Sequence, residues 1–216
     1  MTEHNFEQMR RAMVSNSLRT TGVNDPRVLA AMGAVERERF VPPERVAAAY
    51  ADNPVPLVGG RELNSPLALG RLLTEAAAED DEHVLVIGAA TGYAAAVLDR
   101  LAGSVVALEE DADLFAVAQT RLAETGVKLV HGALVDGYPD DGPYDLILID
   151  GAVEFIPDAI VAQLKDGGRL AAAMLEDGVS RLSIGRRAGE GFGMAAVSDK
   201  QAATLPGFTK PRMFTF

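Results

Sequence analysis

Residues 83–102 read HVLVIGAATGYAAAVLDRLA. A short apolar run, a glycine-bounded turn and an alanine-rich helix former follow one another without a break. An uninterrupted apolar run predicts a strand covered on both faces, because a strand with one wet face alternates apolar and polar residues. Working outward, the same alternation of strand and helix recurs. The expected strands are SVVALE (104–109), KLVHG (128–132), YDLILID (144–150) and GRLAAAML (168–175), with helix-forming runs starting near Thr91, Asp111 and Pro157. Buried strands separated by helices imply a parallel sheet, and right-handed crossovers then give a doubly wound α/β fold. Further on, VSRLSIGRR, GMAAVSD and RMFTF alternate, as antiparallel edge strands do.

Ahead of this core, residues 1 to about 76 read as helical with strong punctuation. Asp25-Pro26 is a cap followed by a first-turn proline, and Ser65-Pro66 repeats the signal before LALGRLLTEAAAE. Pro42-Pro43 interrupts, and ERVAAAYA predicts another short helix. NPVPLVGGRELN (53–64), rich in Pro and Gly, reads as an ordered surface loop. The expected organisation is one domain over 1–216: helices and loop to 76, an α/β core over 77–175, and strands over 176–216.

Composition narrows the function. Over 216 residues, 20 Lys and Arg against 31 Asp and Glu leave a net charge of −11, which argues against non-specific nucleic-acid or anionic-membrane binding. The absence of Cys excludes a disulfide scaffold, a thiolate metal site and a cysteine nucleophile. The opening residues show no apolar leader and no run is long enough to span a membrane, so a cytoplasmic protein is expected. Nothing in the chain specifies an oligomeric state.

In open parallel sheets ligands bind beyond the carboxyl ends of the strands, where strand order reverses. Gly88 and Gly92 flank the first strand–helix turn, where the backbone bends sharply and approaches a ligand with no Cβ in the way. Glu109 ends the second strand, where nucleoside-binding folds place the acid that accepts from ribose hydroxyls. The competing reading is that the glycines only pack helix on strand and Glu109 is a solvated strand end.

VNDPRVLAAMGAVERERFVPPE, ADNPVPLVGGRELNSP, VLVIGAATGYAAAVLDRLA, DGYPDDGPYDLILIDGAVEFIP and QLKDGGRL together resemble the protein-L-isoaspartate (D-aspartate) O-methyltransferase family over nearly the full length. The resemblance implies a Rossmann-like methyltransferase sheet, S-adenosylmethionine as cofactor and isoaspartyl carboxylates of damaged proteins as methyl acceptors. It places Gly88, Ala90, Gly92, Tyr93, Glu109, Ala133 and Leu134 at the cofactor, and Asn64 with Ser65 at the acceptor carboxylate. Gly88, Gly92, Tyr93, Glu109 and Asp145 match the family pattern. Val86 stands where the family has an acid, Ala90 where it has a glycine, Ala133 where it has the adenine-binding Asp, and Asn64 where it has a serine. Arg61 and Glu62 replace Gln and Thr of the same loop, and Glu62 repels an anionic substrate unless Arg61 offsets its charge.

These departures predict weakened cofactor affinity. Losing the adenine acid alone removes about 1.5–3 kcal/mol, or roughly tenfold to a hundredfold. A non-catalytic descendant and a methyltransferase with another acceptor therefore stand as alternatives. No metal site is expected. Asp150 lacks an Asp-Asn partner downstream and is expected to cap a turn or border the pocket, and His4, His83 and His131 have no zinc spacing. His131 is expected to bond backbone at its strand end. Glu110, Asp111 and Asp113 fit a helix N-terminus, and Glu79–Glu82 a solvated loop.

Overall fold

The computed structural model describes residues 5–210; His4 and the expected strand RMFTF lie outside them. Helix α1 (Phe6–Ala12) continues into a wider π-type turn, Met13–Leu18. Helix α2 (Pro26–Ala34) starts where expected, with the Asp25 side chain accepting from the Arg27 amide. The run expected as a helix after Pro43 is a 3₁₀ stretch, Pro43–Ala48. Strands β1 (Val55–Pro56) and β2 (Glu62–Leu63) pair antiparallel inside the segment read as a surface loop. That reading fails in part: Arg61, Leu63 and Asn64 are buried. Helix α3 (Pro66–Ala76) is capped by Ser65, which accepts from the Ala68 amide at 3.3 Å.

The core strands are β3 (His83–Ile87), β4 (Ser104–Glu109), β5 (Lys128–His131), β6 (Tyr144–Val153) and β7 (Leu164–Glu176). Helix α4 (Tyr93–Leu98) follows β3, α5 (Ala112–Arg121) follows β4, and α6 (Asp158–Val161) follows β6. The helix-forming run near Pro157 yields a single turn. Two further strands, β8 (Val179–Ala188) and β9 (Gly191–Ser198), complete a seven-stranded sheet of order β5-β4-β3-β6-β7-β8-β9. The first five strands are parallel, and β8 and β9 add antiparallel at one edge.

Alternation along the buried strands separates two apolar layers. Val84 and Val86 join Ala107, Leu146, Leu148 and Ala171 in the cluster that also holds residues of α2, α3 and α4. Leu85 and Ile87 join Leu108, Ile147, Ile149 and Leu170 on the other face, with Ile160, Leu205 and Phe208. With α6 so short, part of the cover on this second face comes from the chain beyond β9. Ser198 pairs with Leu182, Leu182 with Ala173 and Ala173 with Ala152. The chain therefore crosses three strand spacings, roughly 14 Å, to reach Ala152. There Ala152 donates its amide to Ala203 at 2.7 Å and accepts from the Leu205 amide at 2.9 Å.

Polar groups tie the layers at the end of the sheet remote from the strand carboxyl ends. Asp145 accepts from the His83 amide at 2.8 Å and from Lys165 at 2.7 Å. His83 begins its strand and stacks on Tyr144. Glu82 is not a solvated loop acid: it is largely buried against Arg169 at 2.6 Å, while Asp80 pairs with Arg27.

Candidate cofactor crevice

Strand order reverses between β3 and β6, so the crevice lies at the carboxyl ends of these strands, near Gly88 and Gly151. The turn after β3 closes with Gly92 at φ 99° and Gly88 at φ 80°. Ala90 shares this left-handed geometry at φ 50°, the region an L side chain enters at a cost of about 1–2 kcal/mol. The position where the resemblance expects glycine is thus still built for one.

Glu109 is fully buried, which excludes the solvated strand end. Its carboxylate faces the turn, accepting from the Ala90 amide at 2.6 Å on Oε2 and from the Glu110 and Asp111 amides at 3.0 Å on Oε1. The sequence alone did not reveal its remaining partner. Arg61 reaches in from the β1–β2 segment and donates through Nη1 to Oε1 at 2.9 Å and through Nη2 to Oε2 at 3.3 Å. The guanidinium that would offset Glu62 is therefore turned away from it, and Glu62 is exposed. A buried carboxylate demands a buried cation or several donors, and this rule could have drawn attention to the loop arginine.

The acceptor-side residues are also engaged. The Asn64 amide donates through Nδ2 to Asp150 Oδ1 and accepts the Ala203 amide on Oδ1, each at 2.7 Å. Asp150, expected to cap a turn or border the pocket, is buried. Burial raises its pKa, the Asn64 hydrogen bond and the charges of Arg61 and Arg37 oppose this, and Glu109 reinforces it. Ser65, assigned to the acceptor by resemblance, serves as the α3 cap. Arg37 carried no signal in the sequence reading. Fully buried, it donates to the Asn64 carbonyl at 2.7 Å and the Ala49 carbonyl at 2.8 Å. It also lies 4.6 Å over the Tyr93 ring. Burial lowers the Arg37 pKa despite these contacts.

The other residues assigned to the cofactor by resemblance have partners within the chain. Tyr93 packs in the core against Phe40, with ring centres 5.6 Å apart. Val86, which stands where the family has an acid, is wholly inside the helix-covered layer. The Leu134 amide, expected at adenine, faces Glu110 Oε2 at 3.5 Å, and the Leu134 side chain lies in the same apolar cluster as Phe208. Ala133 immediately precedes the short 3₁₀ turn Leu134–Asp136. His131 sits edge-on to Phe115 at 5.3 Å. Asp111 accepts from the Asp113 and Leu114 amides and caps α5, as its position suggested. Among the described residues no group of three or more His, Asp or Glu is arranged to hold a metal ion. None of their helices is long and apolar enough to cross a membrane.

The seat itself is filled. A Cβ placed on Gly88 would lie 2.8 Å from Leu205 Cδ1, and one on Gly151 would lie 2.7 Å from Leu205 Cβ. Arg61 Nη2 is 3.5 Å from the same Gly88 position. A neighbouring hollow lined by Asn64, Leu69, Asp150, Gly151 and Ala202 has no room for the centre of a water-sized sphere. In this conformation Leu205 lies against Gly88 and Gly151, and Arg61 closes on Glu109.

A reversing parallel sheet with a glycine-bounded turn and an acid at the end of the adjacent strand defines a class I methyltransferase fold. The chain belongs to the protein-L-isoaspartate(D-aspartate) O-methyltransferase family, whose model matches residues 8–198. It is 38% identical over 186 residues to a protein-L-isoaspartate O-methyltransferase of Methylorubrum populi, covering 85% of this chain and 88% of the relative. It is 35% identical over 205 residues to one of Herpetosiphon aurantiacus, covering 94% and 92%. A solved protein-L-isoaspartate O-methyltransferase superposes with a TM-score of 0.80 at 22% identity; 92% of this chain spans 66% of that one. A putative Plasmodium falciparum enzyme, solved with S-adenosyl-L-homocysteine, gives 0.78 at 18% identity, with 94% and 99% covered.

Proposed function

We propose that this protein transfers a methyl group from S-adenosylmethionine to the side-chain carboxylate of isoaspartyl residues in damaged proteins, and does so from an opened form of the crevice. The observation that carries this reading is the Ala90–Glu109 contact. The acid at the end of β4 is aimed at the strand–helix turn, in a chain whose family model covers residues 8–198.

In that opened form Gly88, Ala90 and Gly92 shape the turn, Glu109 accepts from ribose, and Ala133 with Leu134 borders the base. Tyr93 supports the turn from the core side. The acceptor needs no general base: a carboxylate with an ordinary pKa near 4 is already ionised at neutral pH. What the chain must supply is alignment, a contribution of up to roughly 7–11 kcal/mol in favourable cases. Asn64 can donate to the acceptor carboxylate once its amide leaves Asp150, and Arg37 holds the Asn64 backbone in place meanwhile.

A second reading, a family member with reduced or no methyl transfer, is favoured by the Leu205 side chain lying across Gly88 and Gly151. Methyl transfer to an isoaspartyl peptide, with the matching aspartyl peptide as control, separates the two. Transfer to the first peptide alone supports the enzyme; transfer to neither supports the second reading.

A further inference from the structure

We infer that Ala203–Phe208 is an internal occupant of the cofactor crevice, so that an adenosyl ligand binds only in exchange for this segment. The inference rests on the cofactor reading proposed above and adds to it a competitor built into the chain.

The segment is seated by groups that belong to the crevice. Leu205 donates its amide to Ala152 at 2.9 Å, Ala203 accepts from Ala152 at 2.7 Å, and the Phe208 carbonyl accepts from Glu154 at 3.0 Å. It thereby extends the carboxyl end of β6 as one short parallel rung, Ala152 to Thr204. Asn64 holds the Ala203 amide on the oxygen of the side chain whose nitrogen meets Asp150. Leu205 lies against both Gly88, just past β3, and Gly151, near the carboxyl end of β6, the two strands between which the sheet order reverses. Phe208 is fully buried, its ring 6.4 Å from that of Phe155, and it shares the apolar cluster of Leu134 and Leu205.

Two positions assigned to an adenosyl ligand therefore adjoin the segment, the turn through Leu205 against Gly88 and the adenine side through Phe208 in the cluster of Leu134, while the ribose acid is held separately by Arg61. The strap leading to the segment has few ties. Between Ser198 and Ala203, Lys200 donates to Asp52, the Ala202 amide to Ser180, and Arg181 to Asp199. Two ligands that exclude each other from one space follow simple population arithmetic. The apparent dissociation constant rises by the reciprocal of the open fraction, and weakening the occupant lowers it again.

The test uses the full chain and S-adenosyl-L-homocysteine as probe, with binding measured by calorimetry and exchange of the Ala203 and Leu205 amides followed with and without probe. Three proteins are compared: wild type, Leu205→Ala, which shrinks the plug, and Leu205→Met, which keeps it filled. The expected result has three parts: Leu205→Ala binds at least tenfold more tightly than wild type, Leu205→Met stays within about threefold, and both amides lose protection in wild type at saturating probe. Equal affinities for wild type and Leu205→Ala, or amides that stay protected at saturation, overturn the inference and leave the methyltransferase reading standing. If none of the three binds the probe while exchange shows the segment released in Leu205→Ala, the cofactor reading falls and takes the inference with it.

Discussion

The Arg61–Glu109 pair is the most exposed to a quantitative test. Replacing Arg61 by Gln restores the residue type expected at this loop position by resemblance and removes the cation. Two charge-assisted bonds, at 2.9 and 3.3 Å, are lost from a carboxylate with no access to solvent. Breaking a buried pair from one side costs about 3–5 kcal/mol, because the remaining charge stays buried without its partner. Here the amides of Ala90, Glu110 and Asp111 still hold the carboxylate, and the glutamine amide can supply one donor. The expected loss is therefore below that range, about 2–4 kcal/mol. For a chain of this size a change of 1 kcal/mol moves Tm by about 2–4 °C, so the variant should melt roughly 4–16 °C lower. Urea unfolding of Arg61→Gln, Glu109→Gln and the double variant completes a cycle. The double variant should be less destabilised than the sum of the two singles by at least about 1.5 kcal/mol. Single costs that add to within about 0.5 kcal/mol would refute the idea that these charges depend on each other.

Further outcomes follow from neighbouring groups. Ala90→Gly relieves the left-handed backbone whereas Ala89→Gly does not, so the first should be the milder by about 1–2 kcal/mol in denaturant unfolding. Asn64→Ala leaves Asp150 Oδ1 and the Ala203 amide without this partner. It should cost about 2–5 kcal/mol, read in the same assay. Burial raises the Asp150 pKa, so the folded state takes up a proton at higher pH than the unfolded chain. This group's contribution to stability is therefore greatest in acid and falls as pH rises from the unfolded value, near 3.9, through the folded one. Asp150→Asn should be more stable than wild type at neutral pH, with the advantage shrinking toward pH 4 in paired melts; a constant difference would contradict the sign.

The scaffold was legible because its signals are local. Asp25-Pro26 and Ser65-Pro66 carry their caps in adjacent residues, and the runs at 83–87, 104–109 and 144–150 are apolar enough to demand cover on both faces. The aim of Glu109 at the turn followed from strand order. Hidden from that reading were contacts made across long sequence separations. Arg61 meets an acid 48 positions away, and Asn64 meets Asp150 86 positions away. The loop's polar, glycine-rich composition suggested exposure, yet its arginine and asparagine turn inward. Leu205 and Phe208, beside Pro206 and Gly207, carry no periodicity and so announced neither a strand nor a helix. Their burial depends on the α6 crossover being a single turn, which leaves that face of the sheet needing other cover.

The seating of Ala203–Phe208 on β6 also bears on how the molecule is assembled during synthesis. A nascent chain that has reached Ser198 already owns all seven strands of the main sheet, yet its reversal point still lacks the piece that closes it. The ten residues that follow bring Leu205 onto Gly88 and Gly151 and Phe208 into the apolar cluster of Leu134, so the point where the sheet reverses is the last part of the core to be supplied in chain order.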